Sequence, residues 1–205
     1  MDFELIIVDI SQYNYCQKDV EKLLPKCEND ILAYREEKDK VRAFASELLK
    51  RYWLPKILDI NRDDLVIRKN GSGKPYLEGE FGQYSFNISH SGAYVIMAIA
   101  QEYEVGVDIE KIENSLSYEE LCPIVFSQQE QVYALKSLNT FYTMWTKKEA
   151  FLKALGVGFL DPSVLNKTDL NLDPYQILEE FNCEVYSERI FTNYILSFSI
   201  HRRKG

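Results

Sequence analysis

The stretch YEVGVDIEK, residues 103–111, sets Asp108 and Glu110 two positions apart in a run that reads as a β-strand. Alternate residues of a strand share a face, so Val105, Val107 and Ile109 point one way and Gly106, Asp108 and Glu110 the other. Like charges side by side on one face repel. The ordinary reading of such a pair is a solvated strand face. The other is a divalent cation that removes the repulsion, and an all-oxygen donor set suits Mg²⁺, Mn²⁺ or Ca²⁺ better than zinc. On this reading Gly106 leaves room for a ligand to approach the backbone. A third carboxylate, Glu149, lies in WTKKEAFLKALG (145–156), with Lys153 one helical turn further on. An exposed pair at that spacing contributes only about 0.3–0.5 kcal/mol. Glu149, however, stands among large apolar residues, as on a helix packed against a sheet.

Two further stretches offer groups for an anion. FNISHSG (86–92) ends a strand in two hydroxyls, an imidazole and backbone amides, which suit a phosphate. It does not suit a Ser-His-Asp hydrolase, because Ser89 and His90 are strand neighbours whose side chains diverge, and no GxSxG elbow is present. NGSGKP (70–75) can present Lys74 on a glycine-rich turn, although its spacing is not that of a P-loop.

The elements that must position these groups follow from hydrophobic periodicity. Strands are expected at 3–10, 64–68, 86–89, 93–100 and 103–111, with two more at 182–190 and 193–202. Residues 29–54 carry helical spacing that Pro55 should disturb. A short helix over 117–126 contains Pro123. Ser127 and Glu130 form a capping-box pattern that opens a helix running to about Ser137. The clearest helix covers 140–155, with Gly156 as its terminator. Strands and helices mixed in this order predict an α+β chain of two α/β lobes, residues 1–104 and 105–205.

Composition limits the function classes. The 205 residues carry a formal net charge of −8, split as −4 in each half, so neither half is a basic nucleic-acid-binding unit. Four scattered cysteines argue against a zinc site or disulfide framework, and two histidines exclude a multi-histidine metal site. No apolar run reaches the length of a membrane span, and the acidic start MDFELIIVDIS is unlike a signal peptide. A cytoplasmic protein with no membrane or nucleic-acid partner is expected.

Taken in order, GKP (73–75), FNISHSG (86–92), GVDIE (106–110), FSxxE (126–130) and WTKKEAFLKALGVGF (145–159) resemble the surfactin-type 4′-phosphopantetheinyl transferases, densely from residue 73 to 159. The resemblance implies that family's fold, two pseudo-symmetric lobes each with a mainly antiparallel sheet and packed helices, binding coenzyme A in the cleft between them. It implies Mg²⁺-dependent transfer of the phosphopantetheine arm of coenzyme A to a serine of an apo acyl or peptidyl carrier protein, with release of 3′,5′-ADP. Matched by motif, Asp108, Glu110 and Glu149 stand as Mg²⁺ ligands, Lys153 beside the pyrophosphate, and Arg42, Lys74, Ser89, His90 and Lys148 as coenzyme A contacts. Glu149, or a metal-bound water that it holds, is the candidate base, with Lys153 and Asp108 as its catalytic companions. Segment 112–126 is where such enzymes meet the carrier, and Leu116, Tyr118, Leu121, Ile124 and Val125 could supply an apolar patch or simply core. A monomer is expected, since one chain builds the cleft.

One departure concerns the 3′-phosphate of coenzyme A. The family often has several basic residues before the long helix, whereas PKCENDILAY (25–34) holds only Lys26 and two acids, Glu28 and Asp30. The 3′-phosphate is then held by Lys26, Arg42, Lys74 and His90, or coenzyme A binds less tightly. Two other readings of the same carboxylates remain: a Mg²⁺-dependent nucleotide pyrophosphate hydrolase, and a catalytically idle module that binds coenzyme A or a carrier.

Overall fold

A computed structural model describes residues 3–157, 164 and 167–203. Nine strands and seven α-helices are described: β1 Phe3–Asp9, α1 Gln17–Leu23, α2 Glu28–Leu32, α3 Glu37–Leu48, α4 Leu54–Ile57, β2 Ile67–Lys69, β3 Pro75–Leu77, β4 Tyr84–Ser91, β5 Tyr94–Gln101, β6 Tyr103–Lys111, α5 Tyr118–Val125, α6 Gln128–Ala134, α7 Leu138–Leu155, β7 Tyr175–Leu178, β8 Cys183–Ile190 and β9 Tyr194–Arg202.

They form two antiparallel sheets and a hairpin. The first sheet has the order β1-β5-β4, the second β6-β9-β8-β7, and β2 pairs with β3. On β5, Val95, Met97 and Ile99 pack with Ala45, Leu49 and Leu54 of the α3–α4 segment. Its alternate residues Ile96, Ala98 and Ala100 pack with Val105, Val107 and Ile109 of β6. On its other face the second sheet meets α7, through Met144, Phe151, Leu152, Val185 and Ile195. The result is helix, sheet, sheet, helix, with one apolar layer between the sheets. This α+β arrangement agrees with the fold class read from the sequence.

Several local expectations shift. The helical run over 29–54 is interrupted at 33–36, and after α3 the chain stays helical through α4, past Pro55. A π-helical turn at Leu49–Trp53 precedes the proline, widening the ladder where proline supplies no N–H. α6 stops at Ala134 rather than near Ser137. α7 ends on Gly156 at φ 69°, as its C-cap requires. β3 and β7 lie outside the expected strands. Residues 158 and 159, the end of the last motif, lie outside the described residues, as do residues 1 and 2 of the N-terminal stretch.

Candidate active site

β4 and β6 are edge strands of their two sheets, and they meet without a backbone ladder. Side chains of β4 take the β6 N–H groups instead. Val105 N–H donates to Ser85 Oγ at 3.1 Å, Val107 N–H to Asn87 Oδ1 at 3.0 Å, Ile109 N–H to Ser89 Oγ at 3.3 Å and Lys111 N–H to Ser91 Oγ at 3.0 Å. The constant offset of 20 residues means the two strands run parallel. An unmet buried N–H would cost about 1–3 kcal/mol, so this row of small polar residues also fixes the register between the sheets.

That register brings the acids into place. Ser89 Oγ donates to Asp108 Oδ1 at 2.9 Å, and Lys153 Nζ reaches the same oxygen at 2.6 Å. Asp108 Oδ2 is buried with no hydrogen-bond partner. Ser91 Oγ donates to Glu110 Oε2 at 2.8 Å. Burial pushes the Glu110 carboxyl up to about 7, and the Asp108 charge adds to it. Glu149 is raised too, by burial and then by Asp108, against the pull of Lys153. Burial likewise raises Asp108 despite the ammonium beside it. The three carboxylates therefore share one electrostatic neighbourhood.

Gly106 sits on the acidic face, but it admits a helix rather than a ligand. A Cβ there would lie 2.0 Å from Ala150 O and 2.4 Å from Ala154 N. The missing side chain lets α7 lie directly on β6, which is what carries Glu149 and Lys153 to Asp108.

The remaining candidates divide. His90 stands at the end of β4 with an exposed ring. Partial desolvation, then the charges of Arg42 and Lys153, hold it below its usual value. Arg42 pairs with Asp39 at 2.8 Å and donates twice to Gly92 O, at 3.2 and 3.0 Å, so it both braces the turn after His90 and places a cation near it. Ser89 is buried and committed to Asp108 and Ile109, not aimed at a ligand. Lys74 pairs with Glu104 at 2.8 Å and donates to Ala154 O at 3.1 Å, near the end of α7. Its partner Glu104 lies four residues before Asp108 along β6, roughly 13 Å away. Lys148 does not join the group. It is fully buried against Glu130 at 2.6 Å, with Thr168 beside it, and such a side chain has no surface for coenzyme A. Glu130, the acid of the FSxxE motif and of the capping box, is thus a core ion-pair partner as well.

Lys26 lines a cavity of about 210 Å³ with Lys50, Arg51 and Arg62. Lys50 lies eight residues beyond Arg42, about 12 Å along the helix. In segment 112–126, Ile124 is 65% exposed while Val125 is core, because adjacent helical positions face different ways. Tyr118 packs on Phe141. Leu116 and Leu121 line a second cavity of about 200 Å³, with Phe141, Tyr142, Trp145 and Glu110.

Do these residues fit a divalent cation? The donors are all oxygens, one buried carboxylate oxygen is orphaned, and burial raises all three carboxyls, with the Asp108 charge adding at Glu110 and Glu149; that chemistry fits Mg²⁺. Among the described residues no three such groups stand close enough to close round one ion. Lys153 occupies Asp108 instead, and would have to release it.

Comparison with known proteins follows the same residues. The family described as "4′-phosphopantetheinyl transferase, N-terminal" matches residues 13–102, and the "4′-phosphopantetheinyl transferase superfamily" matches residues 104–199. A 4′-phosphopantetheinyl transferase of Aneurinibacillus migulanus is 29% identical over 195 residues, 91% of this chain and 78% of that protein. An L-aminoadipate-semialdehyde dehydrogenase-phosphopantetheinyl transferase of Xenopus laevis is 35% identical over 136 residues, covering 59% of this chain and 45% of its own length. A phosphopantetheinyl transferase of Thraustochytrium is 30% identical over 145 residues, 62% and 50% of the two chains. Against these last two, the chain spans about half of the relative's length.

Proposed function

The chain belongs to the 4′-phosphopantetheinyl transferase superfamily, and from that premise we propose that it moves the phosphopantetheine arm of coenzyme A to a serine hydroxyl of an apo acyl or peptidyl carrier protein. The observation that carries the proposal is the buried Asp108, gripped on one oxygen by Ser89 and Lys153 and orphaned on the other. Glu110 and Glu149 lie within reach of its charge. Asp108, Glu110 and Glu149 would hold Mg²⁺. When bound, the cation supplies charge neutralisation at the coenzyme A pyrophosphate.

The chain's own groups do the rest. Lys153 turns from Asp108 to the pyrophosphate, and His90, with Arg42 behind it, faces the nucleotide end. Lys153 neutralises charge where the P–O bond to the leaving 3′,5′-ADP breaks. A Glu149 carboxylate oxygen takes the proton of the incoming serine as its Oγ bonds to the phosphorus of the arm. Ile124, with the mouth formed by Leu116 and Leu121, meets the carrier. Lys148 and Val125 serve the core, and Lys74 and Ser89 brace the site.

The reading keeps two lobes, 1–104 and 105–205, with coenzyme A mainly on the first and the acids on the second. It makes the protein a cytoplasmic monomer with no nucleic-acid or membrane partner. No helix among the described residues is long and apolar enough to cross a membrane. The test incubates the protein with coenzyme A, Mg²⁺ and a panel of apo carriers, followed by intact mass. One added arm per carrier supports transfer. Coenzyme A cleaved without labelling supports hydrolysis, and binding without turnover supports an idle module.

A further inference from the structure

The contacts between β4 and β6 repeat a unit. Ser85, Ser89 and Ser91 each donate to the carboxylate 19 residues later, Glu104, Asp108 and Glu110, at 3.1, 2.9 and 2.8 Å. Each also accepts the N–H of the residue after that acid, at 3.1, 3.3 and 3.0 Å. Asn87 stands opposite Gly106, where there is no acid, and only accepts, at 3.0 Å. A hydroxyl that donates one way and accepts the other has its proton direction fixed. It therefore holds one carboxylate oxygen and leaves the second turned away.

We propose that Ser89 and Ser91 are positioning residues: each pins one oxygen of a metal-ligand carboxylate so that the other is presented, pre-oriented, to the cation. Asp108 shows the consequence, with Oδ1 held and Oδ2 buried and unmet. Ser91 is itself fixed from both lobes. Its neighbour Gly92, at φ 55°, gives its carbonyl to Arg42, and Ala93 N–H donates to the Tyr194 hydroxyl at 3.1 Å. A Cβ on Gly92 would meet that hydroxyl at 2.2 Å. The proposal rests on the assignment of Asp108 and Glu110 as metal ligands, and it gives Ser89 a role other than contact with coenzyme A.

Ser85 is the built-in control. It makes the same two bonds, but to Glu104 and Val105, roughly 20 Å along the strand from Ser91. The test measures Mn²⁺ affinity by electron paramagnetic resonance on the protein without coenzyme A, beside thermal unfolding, for wild type, Ser85→Ala, Ser91→Ala and Ser91→Thr. Ser85→Ala and Ser91→Ala should lose similar melting temperature. Only Ser91→Ala should weaken Mn²⁺ binding, by about tenfold, the usual scale for groups that orient metal ligands. Ser91→Thr, which keeps the hydroxyl, should restore it. If Ser91→Ala fails to fold, Ser91→Cys, a weaker donor of similar size, should show the same direction. Wild-type affinity in folded Ser91→Ala or Ser91→Cys, or equal weakening in Ser85→Ala, overturns the proposal. A wild-type protein that binds no Mn²⁺ overturns the metal assignment instead.

Discussion

Replacing Glu110 with glutamine should stabilise the protein at alkaline pH while removing its activity. Glu110 shares a partly buried face with Asp108, and its carboxyl moves from 4.5 to about 7 on folding. The folded state keeps this proton up to about pH 7; the unfolded chain gives it up near 4.5. Between those values folding binds a proton, so stability falls as pH rises, and the full cost is present above the folded value. At about 1.4 kcal/mol per unit, the shift corresponds to a cost of about 3 kcal/mol at pH 8 and under about 1 kcal/mol at pH 5. Glutamine carries no charge, and its amide oxygen can still accept from Ser91. Glu110→Gln should therefore unfold later than wild type by about 6–12 °C at pH 8, using the usual scaling for a chain of this size, and by far less at pH 5. Thermal or urea unfolding in chelator, at both pH values, is the assay. An equal effect at the two pH values, or destabilisation at pH 8, would refute the reasoning that the acids repel one another in a desolvated cluster.

Three other outcomes follow from particular contacts. Gly106→Ala would drive a methyl into the α7 backbone; a loss of about 1–3 kcal/mol is expected, with transfer activity falling further because Lys153 shifts, read by urea unfolding beside a transfer assay. Lys148→Met leaves the buried Glu130 without its cation and should cost about 3–5 kcal/mol, yet the folded protein should bind coenzyme A as wild type does by calorimetry; a specific loss of affinity would return Lys148 to the ligand site. With Lys26 placed elsewhere and Lys74 committed to Glu104, Arg42 and His90 are left for the 3′-phosphate. Coenzyme A and 3′-dephospho-coenzyme A should then differ in affinity by less than about tenfold, about 1.4 kcal/mol; a larger gap would show further cations at work.

Much of the site was legible because strand and helix periods are strict. Period two put Asp108 and Glu110 on one face, and the i,i+4 spacing put Lys153 beside Glu149. Gly106 was legible as a close approach, but spacing along one strand does not say which partner approaches. Lys148 and Lys74 were misplaced for a related reason: a cation in a motif looks the same whether it meets a phosphate or a carboxylate, and only the fold brings Glu130 and Glu104 to them. The row on β4 has its own signal, four small polar residues at alternate positions 85, 87, 89 and 91, interleaved with Tyr84, Phe86, Ile88 and His90. The short β7 lacked the length for a periodic signature, and Pro55 was absorbed by a π-turn that propensity does not foresee.

The most direct test of the account compares wild type with Asp108→Asn, a near-isosteric change that keeps a hydrogen-bond acceptor for Ser89 while removing the charge. Each is incubated with coenzyme A, Mg²⁺ and an apo carrier protein, and the intact mass of the carrier is followed over time. Wild type should add one phosphopantetheine arm per carrier, and Asp108→Asn, though folded, should add none in the same interval. Labelling by the variant at the wild-type rate would contradict the claim that this carboxylate is the centre of the site.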